Sequence, residues 1–218
     1  MKVLRKTKKK PDLQILEQEV VTIDIKDLIL WTENPRDDIK KNSNSEIIDE
    51  AIKDEKKKWQ LQKLSVEMGP YLDYSDIPTV VKENEKYIVY DGNRRVILAM
   101  IKILGIDHPS LSNDKIPIFP EKIPCNVCSK EIALNNIERK HSRSGTWSQL
   151  ERDIFIERHR GGKKSIFQII DKNTGIISNE DMMNKDFVKN EVLDAQTLEK
   201  IGITFNGEKM YSKHSREE

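Results

Sequence analysis

The sequence predicts an α/β fold of the α+β kind, a small mixed sheet with helices followed by a small α-helical region. Residues 79–81 and 87–90 are rich in β-branched and aromatic side chains and flank Glu83-Asn84-Glu85, the composition of a hairpin. Asp91-Gly92 then turns straight into an apolar-periodic run, Val96, Ile97, Ala99, Met100, Ile103 and Leu104, closed by Gly105 as a helix would be. Beyond residue 131, apolar side chains recur at helical spacing in several short windows.

The bulk numbers bound the class. A chain of 218 residues is one domain with appendages or two small ones. Hydrophobic residues make up 36% and charged residues 34%, enough apolar side chains for a core under a very polar surface. With 38 basic and 37 acidic residues the total charge argues for no partner, although six of the first ten residues are Lys or Arg. No apolar run is long enough to span a membrane, and Pro11-Asp12 stands where a signal peptide needs an apolar stretch. Two cysteines make no disulfide framework. The expectation is a cytoplasmic protein with no membrane association, divided into a basic flexible tail (1–17), the α/β domain (18–145), a helical C-terminal region (146–210) and a polar tail (211–218).

Taken in order, residues 18–25 alternate as an edge strand and 25–30 read as a short apolar turn. Asn34-Pro35 breaks the pattern and sets a rigid loop holding Glu33, Arg36, Asp37 and Asp38. Ser43 and Glu46 form a capping box ahead of Ile47, Ile48, Ala51 and Ile52, a helix running toward Lys58. A second helix carries Leu61, Leu64 and Met68 to Gly69-Pro70. After the hairpin and its helix, residues 116–119 and 123–127 read as strands, 131–140 as a helix and 141–146 as a loop. A further helix follows, capped by Ser144 or Thr146, with Trp147, Leu150, Ile154 and Phe155 on one stripe and Arg152, Arg158 and Arg160 outward. Residues 165–170, 179–187 and 194–201 give short helical windows, with turns at 171–177 and 205–208. Cys125 and Cys128 form a Cys-x-x-Cys, but His141 and His159 miss zinc-finger spacing.

Arg94 and Arg95 stand in the first turn of the helix after Gly92, where cations oppose the helix dipole. An anion placed to meet them explains them better than local stability does. Guanidinium forks bind phosphate oxygens bidentately, and the turn before a helix exposes backbone N–H groups to the same anion.

Gly92-Asn93-Arg94-Arg95 resembles the second box of the ParB/sulfiredoxin superfamily, usually Gly-Glu-Arg-Arg. Pro35-Arg36 within 33–37 resembles the first box, and residues 133–139 resemble the third, Glu-Asn-x-x-Arg, in the family's order over about residues 20–155. The resemblance implies a fold that holds a nucleoside triphosphate, CTP or ATP, with Mg²⁺. Carried over by position, Arg36, Gly92, Asn93, Arg94, Arg95 and Arg139 face the phosphates, and Asn135 and Asn136 hold the metal. Glu33 or Asp91 is the expected general base if the nucleotide is hydrolysed. Asn93 stands where sulfiredoxin carries its reactive cysteine, so sulfiredoxin chemistry is not expected. The resulting expectation is a ParB-like nucleotide-binding protein, with NTPase activity in DNA-related processes of a plasmid, phage or defence context. The alternative is a DNA-binding module or ParB-like nuclease without nucleotide turnover, with Lys140 and Arg143 on the nucleic acid. A homodimer or another protein partner is left open.

Overall fold

The computed structural model describes residues 18–37, 40–54, 58–106, 111, 113–144, 147–179, 188, 193 and 195–213, without the side chains of 113, 142–144 and 195. The basic tail, Asp38, most of the helical window expected at 179–187 and the last five residues therefore lie outside the described residues.

Five strands make one mixed sheet: β1 (Gln18–Asp24), β2 (Leu28–Leu30), β3 (Thr79–Glu83), β4 (Lys86–Asp91) and β5 (Lys122–Cys128), in the order β1-β5-β3-β4-β2. β1–β5 and β3–β4 pair antiparallel, and β3–β5 and β4–β2 pair parallel. The β3–β4 connection is a two-residue turn, with Asn84 and Glu85 both at positive φ (48° and 62°), which matches the twist of the strands it joins. Residues 25–30, expected as an apolar turn, form a single 3-10 turn and then β2. Three residues are too few to show alternation, and their pairing with β4 and not their own pattern makes them a strand. Residues 116–119 make only an isolated bridge, Tyr71 to Ile118, and not a strand.

Alternation along the strands separates two cores. Val80, Val89, Ile123 and Cys125 face one side, where they meet α1 (Asn44–Lys53), α2 (Leu61–Met68) and α3 (Asn93–Leu104). Val81, Tyr90 and Cys128 face the other, against α4 (Lys130–Ser144) and α5 (Gln149–His159). The two cysteines thus sit in different cores, and burial raises both thiols, Cys125 to about 12. α3 is the innermost helix: Val96 through Ile101 are all buried, including Leu98 and Ile101 off the expected stripe, while Ile103 and Leu104 emerge at its end. Each large side chain of that run contributes about 1.5–3 kcal/mol by leaving water.

Helix ends follow local chemistry. Ser43 caps α1 by accepting from the Glu46 N–H, but Glu46 Oε2 reaches back to the N–H of Asn42 (3.0 Å) instead of closing the box on Ser43. α4 runs through residues 141–144, expected as loop, because nothing in His-Ser-Arg-Ser breaks a helix before Gly145. α5 is capped by Ser148, not Ser144 or Thr146, through a complete capping box with Glu151.

The C-terminal region holds α6 (Ile166–Thr174), α7 (Ile176–Asn179), α8 (Ala195–Lys200) and a hairpin, β6 (Ile203–Asn206) with β7 (Lys209–Ser212). Residues 171–177 are therefore mostly helical, and the region expected to be all-helical contains strands. Its core joins Phe167, Ile170, Ile177 and Leu198 to Leu150 and Ile154 of α5. Helix α5 thus faces both this core and the sheet. Among the described residues, no helix is long and apolar enough to cross a membrane.

Gly92 starts α3 at φ +86°, and a Cβ there would lie 3.2 Å from both Pro78 Cα and Arg95 Nη2; Gly105 ends it at φ +66° with nothing within 4 Å. Gly105→Ala should cost about 1 kcal/mol from conformation alone, and Gly92→Ala about 2–3 kcal/mol because contact adds to the strain. Urea unfolding of both variants measures the difference, and equal costs would mean that Pro78 moves aside freely.

Candidate functional site

The loop after β2 is built from backbone hydrogen bonds. Asn34 N–H donates to the Trp31 carbonyl (3.2 Å), Asp37 N–H to the Asn34 carbonyl (3.0 Å), and Asn34 Oδ1 accepts from Arg36 N–H (3.1 Å), an Asx turn. Two asparagines lace the loop's root to the helices. Asn44 Oδ1 accepts from Leu30 N–H (2.8 Å) while its Nδ2 donates to the Leu28 carbonyl (3.0 Å), closing the outer edge of β2. Asn93, the first residue of α3, accepts from Trp31 N–H (3.0 Å) and donates to the Tyr90 carbonyl (3.3 Å). From the other side Arg158 of α5 donates to the carbonyls of Glu33 (3.5 Å), Asn34 (3.3 Å) and Asp37 (3.1 Å). Arg158, expected outward, is turned onto the loop because those carbonyls offer acceptors that no strand or helix supplies.

This lacing brings Arg36 of the loop beside Arg94 and Arg95 of α3. The three guanidiniums line one cavity of about 80 Å³, together with Asn34, Asp91, Gly92, Asn93, Trp31, Leu64, Tyr90, His141 and Trp147. Consecutive carbonyls ahead of α2 hold two of the arginines: Lys58 O accepts from Arg36 Nη1 (2.8 Å) and Trp59 O from Arg94 Nη1 (3.4 Å). That segment is itself fixed by Asp54, whose carboxylate accepts from the N–H groups of Trp59 (2.9 Å) and Gln60 (2.6 Å). Arg36 also meets Glu151 (3.4 Å), and Arg95 pairs with Asp76. Among the described residues, Arg94 has no carboxylate within ion-pair distance. Burial, then the Arg36 and Arg95 charges, push its guanidinium down to about 10. Gly92 has no side chain to cap the first turn of α3, and Arg95 Nε is buried without a hydrogen-bond partner.

Asp91 closes the cavity on the α4 side. It accepts from Lys140 Nζ (2.8 Å), contacts His141 Nε2 (3.3 Å) and accepts from Gly92 N–H (2.9 Å). Burial works to raise its pKa, but the His141 hydrogen bond and the Lys140 charge outweigh it and hold the carboxyl well below its usual range. The His141 ring stacks on Trp147 at 4.6 Å.

The predicted residues divide accordingly. Arg36, Gly92, Asn93, Arg94, Arg95 and Asp91 share the cavity, and Lys140 reaches it through Asp91. Gly92 N–H and the Asn93 amide already serve Asp91, Trp31 and Tyr90, so these two residues shape the site and do not offer those groups to a phosphate. Asp91, the general base expected if the nucleotide is hydrolysed, lines the cavity as a carboxylate paired with Lys140 and beside His141. Glu33 is outside the cavity, hydrogen-bonded to Lys40 at 2.7 Å, which lowers its pKa. Arg139 is exposed and reaches Asn136 Oδ1 (3.4 Å), and Asn135 Oδ1 accepts from Arg160 (2.6 Å). These three residues of α4 do not line the cavity, whereas His141, further along the same helix, does, and the exposed Lys140 reaches Asp91 at its edge. Asn135 and Asn136 each have their amide oxygen on an arginine, and no group of three or more His, Cys, Asp or Glu that could hold a metal occurs among the described residues. The side chain of Arg143 lies outside the described residues.

The sequence does not single out Asp76, and it gives His141, Trp147 and Arg158 no place at the site. His141 was one residue past the assigned helix end, and Asp76 belongs to a loop whose fold follows from no local pattern. Asp37, named in the sequence only as part of the Asn34-Pro35 loop, is another such residue. It is buried, accepts from Trp59 Nε1 (3.3 Å) and leaves Oδ2 without a partner.

Burial raises the Asp37 pKa to about 6, above its ordinary 3.8. A folded pKa raised above the unfolded one gives stability that is full below about pH 4 and is lost as pH rises through about 6. Asp37→Asn keeps the acceptor for Trp59 and removes the charge, so it should stabilise the protein at pH 7.5 by about 1–3 kcal/mol. The gain over wild type should vanish near pH 4, as read by urea unfolding across that range; a variant less stable at pH 7.5 would show that the charge is needed.

No protein-family model, no curated protein and no solved structure matches this chain, and the chemistry of the site rests on its own residues.

Proposed function

We propose that this cavity binds a phosphoryl group of a nucleoside triphosphate, as the ParB/sulfiredoxin resemblance implies, with Arg36, Arg94 and Arg95 on the phosphate oxygens. One observation carries the reading. Arg94 is a half-buried guanidinium without a carboxylate partner among the described residues, beside two further guanidiniums. Crowded cations in a low-dielectric site favour an anion, and charge-assisted bonds from guanidinium to phosphate are the strong kind. The free space of about 80 Å³ is small against the ~300–1,000 Å³ of a site that encloses a whole ligand. It suits one phosphoryl group, with sugar and base in the open mouth. The site binds the nucleotide without a free carboxylate to promote its turnover, since among the described residues that line the cavity the carboxylate present, Asp91, is ion-paired.

The same small volume favours a second reading, in which the phosphate belongs to a DNA backbone. Salt separates the two, since backbone binding falls steeply with ionic strength and a pocketed nucleotide falls less.

Isothermal titration with CTP, ATP and GTP should give binding of at least one nucleotide, weakened about 10–100-fold by Arg94→Ala. Arg139→Ala should leave the affinity within about twofold, since an exposed charge off the site contributes little. Heat with none of the three nucleotides, together with salt-sensitive retention of duplex DNA, would transfer the site to the second reading.

A further inference from the structure

Arg95 already holds an anion, and it is supplied by the chain. Asp76 ends a 3-10 turn, Tyr74–Asp76, in the loop between α2 and β3, and none of that turn's residues is buried. Its carboxylate pairs with Arg95 Nη1 through Oδ2, while Oδ1 lies 3.5 Å from Lys140 Nζ. The two partners differ in setting: the Arg95 side chain is 17% exposed and faces the cavity, whereas that of Asp76 is 50% exposed. A carboxylate presents two oxygens to a guanidinium in the geometry that a phosphate would use. Lys140 is in turn closer to Asp91 (2.8 Å) than to Asp76, so an Asp76 pushed off Arg95 keeps a second cation to turn to.

We infer that Asp76 is an internal competitor for the phosphate site, an acidic side chain that occupies Arg95 until a phosphoryl group displaces it. This rests on the phosphate-binding reading of the cavity and adds the chain's own control of its affinity. Arg94, held by the Trp59 carbonyl, and Arg36, shared between the Lys58 carbonyl and Glu151, make the ligand's first contact, while Arg95 is released as Asp76 leaves. None of the three residues of the turn that carries Asp76 is buried, and the loop's core anchor is Leu72, four residues before it. Loss of the Asp76 charge therefore raises affinity, an effect opposite in sign to that expected from removing a structural ion pair.

The test is isothermal titration of the full chain with CTP, ATP and inorganic triphosphate, comparing wild type, Asp76→Asn and Glu67→Gln. Glu67 is an α2 carboxylate whose charge reaches Arg94 without pairing with any of the site's arginines. Asp76→Asn should bind the ligand that wild type binds about three- to tenfold more tightly. Glu67→Gln should stay within twofold, and the gain from Asp76→Asn should disappear in an Arg95→Ala background, as coupled neighbours require. Equal or weaker binding by Asp76→Asn would overturn the inference while leaving the phosphate site standing, as would an equal gain from Glu67→Gln. Silence of wild type and Asp76→Asn alike toward all three ligands would overturn the phosphate reading and the competitor with it.

Discussion

The hydrogen bond from Trp31 N–H to Asn93 Oδ1 is the joint on which the site depends. It fastens the end of β2 to the first residue of α3, 62 positions further along the chain. Without that junction, Arg36 would hang on a loop with no defined relation to Arg94 and Arg95. Asn93 can make it because its amide has a donor and an acceptor, and the donor is returned to Tyr90 O. A glutamate at this position would accept from Trp31 but could not donate to Tyr90.

Bringing guanidiniums together in a half-buried place is costly, and the fold offsets the cost piece by piece. Backbone carbonyls of Lys58 and Trp59 accept a hydrogen bond each from Arg36 and Arg94, Glu151 stands near Arg36, and Asp76 covers Arg95. Asp91 is committed elsewhere, to Lys140 and His141, so it does not neutralise the arginines beside it. Among the described residues, the cavity guanidinium left without a carboxylate partner is that of Arg94. The same helices that hold the cavity also tie it to the C-terminal region, because α5 carries Glu151 and Arg158 on one side and Leu150 and Ile154 in the third core on the other.

Much of this was legible beforehand, for identifiable reasons. The hairpin and α3 have strong local signals, including a two-residue turn and an apolar helix bounded by glycines, and they came out where periodicity put them. Arg94 and Arg95 were conspicuous because they contradict a local preference, and such contradictions tend to mark sites. Arg139 misled for the opposite reason. A motif letter matched, but the helix face that letter occupies is decided by packing of Ile132, Ala133 and Ile137 against the sheet, which a pattern of polar residues does not report. β2, Asp76 and Arg158 were illegible because each owes its place to a partner far along the chain: β4, Arg95 and the carbonyls of 33–37.

Modification of arginines by phenylglyoxal, read by peptide mass spectrometry with and without CTP, ATP or inorganic triphosphate, tests the convergence itself. The account predicts that the effective ligand protects Arg36 and the Arg94-Arg95 peptide while labelling of exposed Arg139 continues unchanged. Protection of Arg139 with Arg94 and Arg95 still labelled would contradict it.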